Sequence, residues 1–231
     1  MLRSPNLPFS IKIGQNDICF SRSVRNLGVI FDDKLSMKQQ DSKICQSAYL
    51  ELCRISLIRY VLTVDATKTL VTSLVLSRVD YCNSLLSRIP QQLIDKLEKV
   101  QNCSARLIFK TSKCTHVSPL LAKLHWLQIA QRIDSKMSSL CYDVVSDTAP
   151  LYLSDLFCLY VPSRSLCSSA ETRIFWIPTR KKKFQGQHAF SHLSPVTSNK
   201  LPYSVHHAQT QSQFKTQLKS TLLRSVYEPE S

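Results

Sequence analysis

Apolar residues alternate with polar ones near the start of the chain and recur every three or four positions after it. Ile11-Lys12-Ile13 alternates, Gly14-Gln15-Asn16-Asp17 is turn material, and Ile18-Cys19-Phe20 resumes the strand pattern. After the polar Ser21-Arg22-Ser23, Leu27-Gly28-Val29-Ile30-Phe31 reads as a short buried strand. Residues 1–35 are therefore expected to form a small hairpin or three-stranded sheet.

From residue 36 the period becomes helical. Ser36-Met37-Lys38-Gln39 has the spacing of a capping box, and Ile44, Ala48, Leu52, Ile55 and Ile58 continue as one stripe. Asp65 is placed to cap a second helix with Leu70, Leu74 and Val75 on its apolar face. Ile89-Pro90 breaks the chain and puts Pro90 at a helix start. Leu93, Leu97, Val100, Ser104 and Leu107 form the stripe of a third helix. A fourth is expected from about Ile129 to Val145, ended by residues 147–150, and a last amphipathic one from Ser212 to Tyr227, with Phe214, Leu218 and Leu222 on one side. The pattern predicts a mainly α chain: an N-terminal β element (1–35), a helical bundle (36–158), and an irregular, basic, Ser- and Pro-containing region (159–231) that ends in the amphipathic helix.

Charge sharpens this picture. The net charge is +14, with 20 Lys+Arg against 13 Asp+Glu up to residue 158 and 10 against 3 beyond it. That balance favours polyanionic partners, RNA and DNA above all, through counterion release. The run Arg180-Lys181-Lys182-Lys183 reads either as a solvated loop or as a phosphate contact or import signal. No apolar run approaches the ~20 residues of a membrane span, and the N-terminus has no secretory h-region, so an intracellular protein in nucleus or cytoplasm is expected. Nine cysteines include no C-x-x-C pair, which points to reduced thiols, several of them serving as small hydrophobes.

Candidate chemistry is mostly excluded. Three glycines, Gly14, Gly28 and Gly186, do not supply a P-loop or a dinucleotide fingerprint. G-x-S-x-G is absent. His188 and His192 have i, i+4 spacing, but no glutamate accompanies them as in H-E-x-x-H, so a helix with two surface histidines is the favoured reading. Asp32-Asp33 after Phe31 invites a polymerase reading, since two Mg²⁺ ions about 4 Å apart are held by carboxylates from adjacent strands. Here Lys34-Leu35-Ser36-Met37-Lys38 leads into a helix cap instead of a second strand, and no catalytic or metal-binding residue is expected.

A string of short motifs is more specific. VRNLGVIFDDKLS (24–36), SRVDYCNSLLSRIP (77–90), KLEKVQNCSARLI (96–108), LHWLQIAQRID (124–134), APLYLSDL (149–156), VPSRSLCSS (161–169), GQHAFS (186–191), NKLP (199–202) and FKTQLKSTL (214–222) occur in that order. Together they resemble the C-terminal part of LINE-type (non-LTR) retrotransposon reverse transcriptases, over nearly the whole chain from Val24 on. In that family the catalytic aromatic-Ala-Asp-Asp box lies upstream of the NLG strand. The resemblance thus implies the end of the palm followed by a thumb-like helical bundle, without polymerase activity and without the Mg²⁺ of the parent enzyme. Three places depart from the family pattern: Gln187-His188, where a basic residue is common, Ser198 before Asn199, where Trp is common, and Asp143, where lysine is usual. Weakened packing or phosphate contact is expected there, as in a degenerate copy.

The resemblance implies RNA or an RNA–DNA hybrid as partner, held through its backbone, and no small-molecule substrate or cofactor. Candidate contacts are Arg25 and Gly28 at the palm-like strand, Lys96, Lys99, Arg106 and Lys110 on the third helix, and Arg180, Lys181, Lys182 and Lys183. A turn or packing role suits Gly28 equally well. Trp126, in Leu-His-Trp-Leu, reads as a core anchor ahead of a base-stacking platform, and Arg78, Asp80, Tyr81 and Asn83 read as a buried polar knot between helices. The alternatives are a helical interaction module that docks a protein on the Leu93–Leu107 or Phe214–Leu222 stripes, or a transposon remnant with no function.

Overall fold

The computed structural model describes residues 10–19, 21–158, 175–177, 190–206 and 208–227. Two antiparallel hairpins open the chain. β1 (Ser10–Ile13) pairs with β2 (Asn16–Cys19) across Gly14-Gln15, and β3 (Ser23–Asn26) pairs with β4 (Val29–Asp32) across Leu27-Gly28, as two separate two-stranded sheets. Leu27 and Gly28 are therefore the turn and not the start of a buried strand. Both have positive φ, 47° and 84°, the primed-turn geometry that matches the twist of a hairpin. The tight turn leaves the Leu27 side chain 84% exposed, while Val29, two residues on, is buried.

Helices follow: α1 (Lys38–Ile58), α2 (Val64–Val71), a π-helical turn (Thr72–Leu76), α3 (Ser77–Asp80), a 3-10 turn (Asn83–Leu86), α4 (Gln91–Phe109), α5 (Ser118–Leu124), α6 (Ile129–Val145), α7 (Leu151–Ser154), α8 (Phe190–Ser198), α9 (Tyr203–His206) and α10 (Gln211–Tyr227), of which the apolar period predicts α1, α2, α4, α6 and α10. The described chain is thus mainly helical with a small N-terminal β part.

Three local expectations are corrected. The Ser36 capping box does not form, because Met37 takes the N-cap position of α1 in the left-handed region, φ 58°. Asp32 supplies the acceptors instead: its carboxylate accepts from the Ser36 hydroxyl at 2.7 Å and from the Met37 amide at 3.1 Å. On α2 the cap is Thr63, whose hydroxyl accepts from the Ala66 amide at 3.2 Å, with Asp65 in the first turn. On the same stretch the π turn adds a residue to the helical repeat. The buried line becomes Val71, Val75, Leu76 and Val79, and Leu74 stays 37% exposed.

The main core joins α1, α2, the π turn, α3, α4, α5 and α6, with Val29 of β4 and Leu193 of α8 completing it. Leu97, Val100, Ile108, Ile129 and Met137 lie at its centre, almost fully buried. Trp126 belongs to this core, and His125 beside it closes α5 in the left-handed region. A second cluster forms where α10 crosses α6. There the Tyr142 and Phe214 rings stack at 4.4 Å, and the Tyr142 hydroxyl donates to the Ala208 carbonyl at 2.9 Å. The stripes Leu93–Leu107 and Phe214–Leu222 are therefore packed into the chain's own cores and do not offer the docking faces expected of them.

Two departures from the family pattern are well accommodated. Ser198 is buried, and Asn199 both donates to the Phe175 carbonyl and accepts from its amide. Asp143 accepts from the Gln211 side chain at 2.6 Å. Gln187-His188 lies outside the described residues. No described helix is long and apolar enough to cross a membrane.

Candidate nucleic-acid interface

The α4 sequence sorts its residues to different sides. Leu93, Leu97, Val100, Ser104 and Ile108 face the core. Lys96, Lys99 and Arg106 are spaced 3 and 7 residues apart, which at 100° per residue puts them within about 80° of one another on the side turned away from it, over about 15 Å, and Lys110 follows just past the helix end. Cys103, an exposed thiol, lies on the same line. The four sequence candidates on this helix are thus brought together, but they are not equivalent.

Lys96 is half-exposed and lies 3.8 Å from a carboxylate oxygen of Asp41, which is itself fully buried on the first turn of α1. Arg106 reaches under the loop after α4 and donates to the Thr115 carbonyl at 3.2 Å, so part of its donor set holds that loop. Lys99 and Lys110 are exposed, and neither makes an ion pair among the described residues. Lys110 stands just past the last turn, in the left-handed conformation that closes the helix. Asp95, exposed one turn before Lys99, borders the stripe, and burial together with Asp95 pushes the Glu98 carboxyl above the usual range.

Asp41 is the electrostatic cost of this arrangement. Burial raises its carboxyl above the ordinary value of 3.8, and Lys96 opposes the rise. Cys45, one turn on, is pushed up to about 11 by its own burial and by Asp41, with Lys96 again opposing. A carboxyl raised in the folded state contributes stability below its ordinary value and loses it as the pH rises through the raised one. Asp41→Asn, which is neutral throughout, is therefore expected to melt a few degrees above the parent at pH 7. The gap should close below pH ~4, where the parent carboxyl is protonated as well. Thermal melts at the two pH values check this, and an equal gap at both would contradict it.

The other candidates fall elsewhere. Arg25 is exposed on β3, opposite Ile30, whose amide donates to the Gln40 side chain of α1 at 2.9 Å. The hairpin carrying Arg25 therefore rests on the same first turn of α1 that receives Lys96. Gly28 is explained by its turn: φ is 84°, and a Cβ there would meet the Tyr81 ring at only ordinary contact distance, 3.6 Å. The Tyr81 hydroxyl donates to the Leu27 carbonyl at 2.7 Å and ties the turn to the chain just after α3. Arg180 to Lys183 lie outside the described residues.

The polar knot is corrected as well. Arg78 donates to Glu51 of α1 at 2.9 Å, Asp80 pairs with Arg132 of α6, Tyr81 meets the hairpin, and Asn83 is buried. These contacts radiate from α3 to three elements instead of meeting one another, because a four-residue helix points successive side chains in different directions.

Asp32 and Asp33 are separated by their partners. Burial nudges Asp32 upward, but the hydrogen bonds from Ser36 and nearby amides outweigh it and hold the carboxyl below the usual range. Asp33 shares with Asp32 an open cleft of about 670 Å³, lined also by Arg22, Lys34, Ser36, Lys38 and Gln39. Sequence reasoning missed these three cations; Lys34 and Lys38 follow the aspartates directly, whereas Arg22 is brought beside them by the pairing of β3 with β4. Among the described residues no three His, Cys, Asp or Glu side chains are grouped to hold a metal ion. His192 is half-buried on α8 with its Nδ1 enclosed, and His188 lies outside the described residues.

A search of protein-family models, curated proteins and solved structures returned no match to the chain.

Proposed function

We propose that the chain corresponds to the post-catalytic palm and thumb of a LINE-type reverse transcriptase and that it binds RNA or an RNA–DNA hybrid in a sequence-tolerant way. The observation that carries the binding reading is the basic line along α4: Lys96, Lys99 and Arg106 on its outer side and Lys110 just past its end, with Lys99 and Lys110 exposed and in no ion pair among the described residues. A rigid helix presenting cations at helical spacing meets backbone phosphates without reading bases. Lys99 and Lys110 are the principal contacts, Lys96 and Arg106 support them, and Arg25 and the segment Arg180–Lys183 extend the basic surface. Alone, the chain has no polymerase, nuclease or RNase H activity, takes no small-molecule substrate, and binds none of the parent enzyme's Mg²⁺. The Asp32 carboxylate accepts from the Ser36 hydroxyl and the Met37 amide, which supports a structural role for it at the entry to α1.

The experiment is a filter-binding competition between RNA–DNA hybrids of equal length and unrelated sequence. Equal affinities are expected. A preference of about tenfold or more for one sequence, roughly the discrimination of a single good base contact, would overturn the reading.

A further inference from the structure

Among the described residues, a run of uncovered apolar side chains follows the outer side of α1 and turns the corner into α2. Leu50, Leu57 and Ile58 are 51%, 76% and 45% exposed, and Tyr60, Val61 and Val64 continue the ridge at 79%, 67% and 45%. Scattered apolar residues on a surface need no explanation, but six in one stretch form a contiguous patch of the kind that marks an interaction site. The helix itself supplies the spacing of the first part: Leu50, Arg54, Leu57 and Ile58 follow i, i+4, i+7 and i+8, and Tyr60 and Val61 continue in the turn after it. Ile58, which the sequence pattern assigns to the core, is displaced outward because Arg59 takes the inward position.

The charges around the ridge are uneven. Both carboxylates of α1 are buried, Asp41 against Lys96 and Glu51 against Arg54 and Arg78. The exposed charges along the helix are Lys38, Lys43 and Arg54; half-buried Lys68 follows on α2, with Asp65 as the exposed carboxylate of the corner. We propose that this ridge docks an amphipathic helix of another protein, one with leucine-type residues on one face and acidic residues flanking them. A second copy of this chain fits poorly, because a two-fold contact centred on the ridge sets Arg54 against Arg54. An anionic membrane fits poorly too, since recognition of that kind uses clusters of about 4–8 cations, and Arg54 is already paired with Glu51, which leaves Lys38, Lys43 and Lys68. The inference is independent of nucleic-acid binding, which uses the α4 stripe.

The test uses the full chain and a labelled, designed helical peptide with Leu at i, i+3, i+4 and i+7 and Glu on both flanks, read by fluorescence anisotropy. Saturable binding is expected, weakened about tenfold or more by the Leu50→Gln, Leu57→Gln double variant. Both side chains are exposed, so the variant should keep the parent's melting curve. Binding should change little in Lys99→Gln, Lys110→Gln, which separates the ridge from the α4 stripe. Four results would overturn the proposal: no saturable binding; equal binding of a peptide with the same Glu residues but Gln in place of Leu; loss of binding in the α4 variant and not in the ridge variant; or ridge-dependent association with itself, or with phosphatidylcholine–phosphatidylserine vesicles, at equal or higher affinity.

Discussion

The Lys99→Gln, Lys110→Gln double variant is expected to bind a short RNA–DNA hybrid roughly 10- to 100-fold more weakly than the parent at about 0.1 M salt. Its log-affinity against log-salt plot should be shallower by about two, one unit for each phosphate no longer neutralised. The physical basis is that these two cations lie away from Leu97, Val100 and Ile108, and neither is within ion-pair distance of a carboxylate among the described residues. Glutamine keeps polarity and most of the length and removes the charge. Neither residue supports the core, so the melting curve should stay that of the parent. Lys96→Gln is the informative contrast, because it also leaves the buried Asp41 without its cation and so disturbs stability and affinity together. Unchanged affinity in the double variant, with the hybrid still bound, would move the interface off α4.

Arg59→Ala should destabilise the fold by about 3 kcal/mol or more. Arg59 is 7% exposed at the end of α1. Its guanidinium donates from Nε to the Leu107 carbonyl at 2.9 Å, and from its two terminal nitrogens to the Leu62 carbonyl at 2.7 Å and the Ile108 carbonyl at 2.6 Å. Two of these carbonyls belong to the last turn of α4, where the helix leaves its acceptors unpaired and carries partial negative charge. Alanine deprives three carbonyls of a cationic donor and opens a void between the ends of α1 and α4. Arg59→Lys should recover only part of the loss, because an ammonium does not reproduce the planar fork. Denaturant midpoints for the three proteins check the order Arg, Lys, Ala; equal stability of the Lys variant and the parent would show that charge alone matters. The same residue anchors the Lys110 end of the basic stripe, so Arg59→Ala should also weaken nucleic-acid binding.

Elements whose apolar period ran unbroken were legible in the sequence. α6 spans Ile129–Val145 as its stripe and the following Asp147–Pro150 break imply, and α4 starts directly after Pro90. What the pattern did not show were choices settled by tertiary contact. Leu27-Gly28 looked like strand because both flank an apolar run, yet the hairpin needed two positive-φ residues and Tyr81 anchored the exposed tip. Leu74 was on the expected face until the π turn shifted the phase. Helix α5, seven residues long, is too short for a periodic stripe to announce it. At the candidate site the spacing of Lys96, Lys99, Arg106 and Lys110 was readable, since it follows from helix geometry alone. The unequal availability of the four was not: Asp41 is 55 positions from Lys96, and Thr115 meets Arg106 only because the chain folds back after α4.

The most direct measurement is a filter-binding titration of the unmodified chain with a short RNA–DNA hybrid between about 50 and 200 mM salt. With Lys99 and Lys110 fully engaged and Lys96 and Arg106 partly so, log affinity should fall against log salt with a slope near about −3, a loss of roughly 50-fold across that range. No binding at the low-salt end, or an affinity that stays flat as salt rises, would contradict the account.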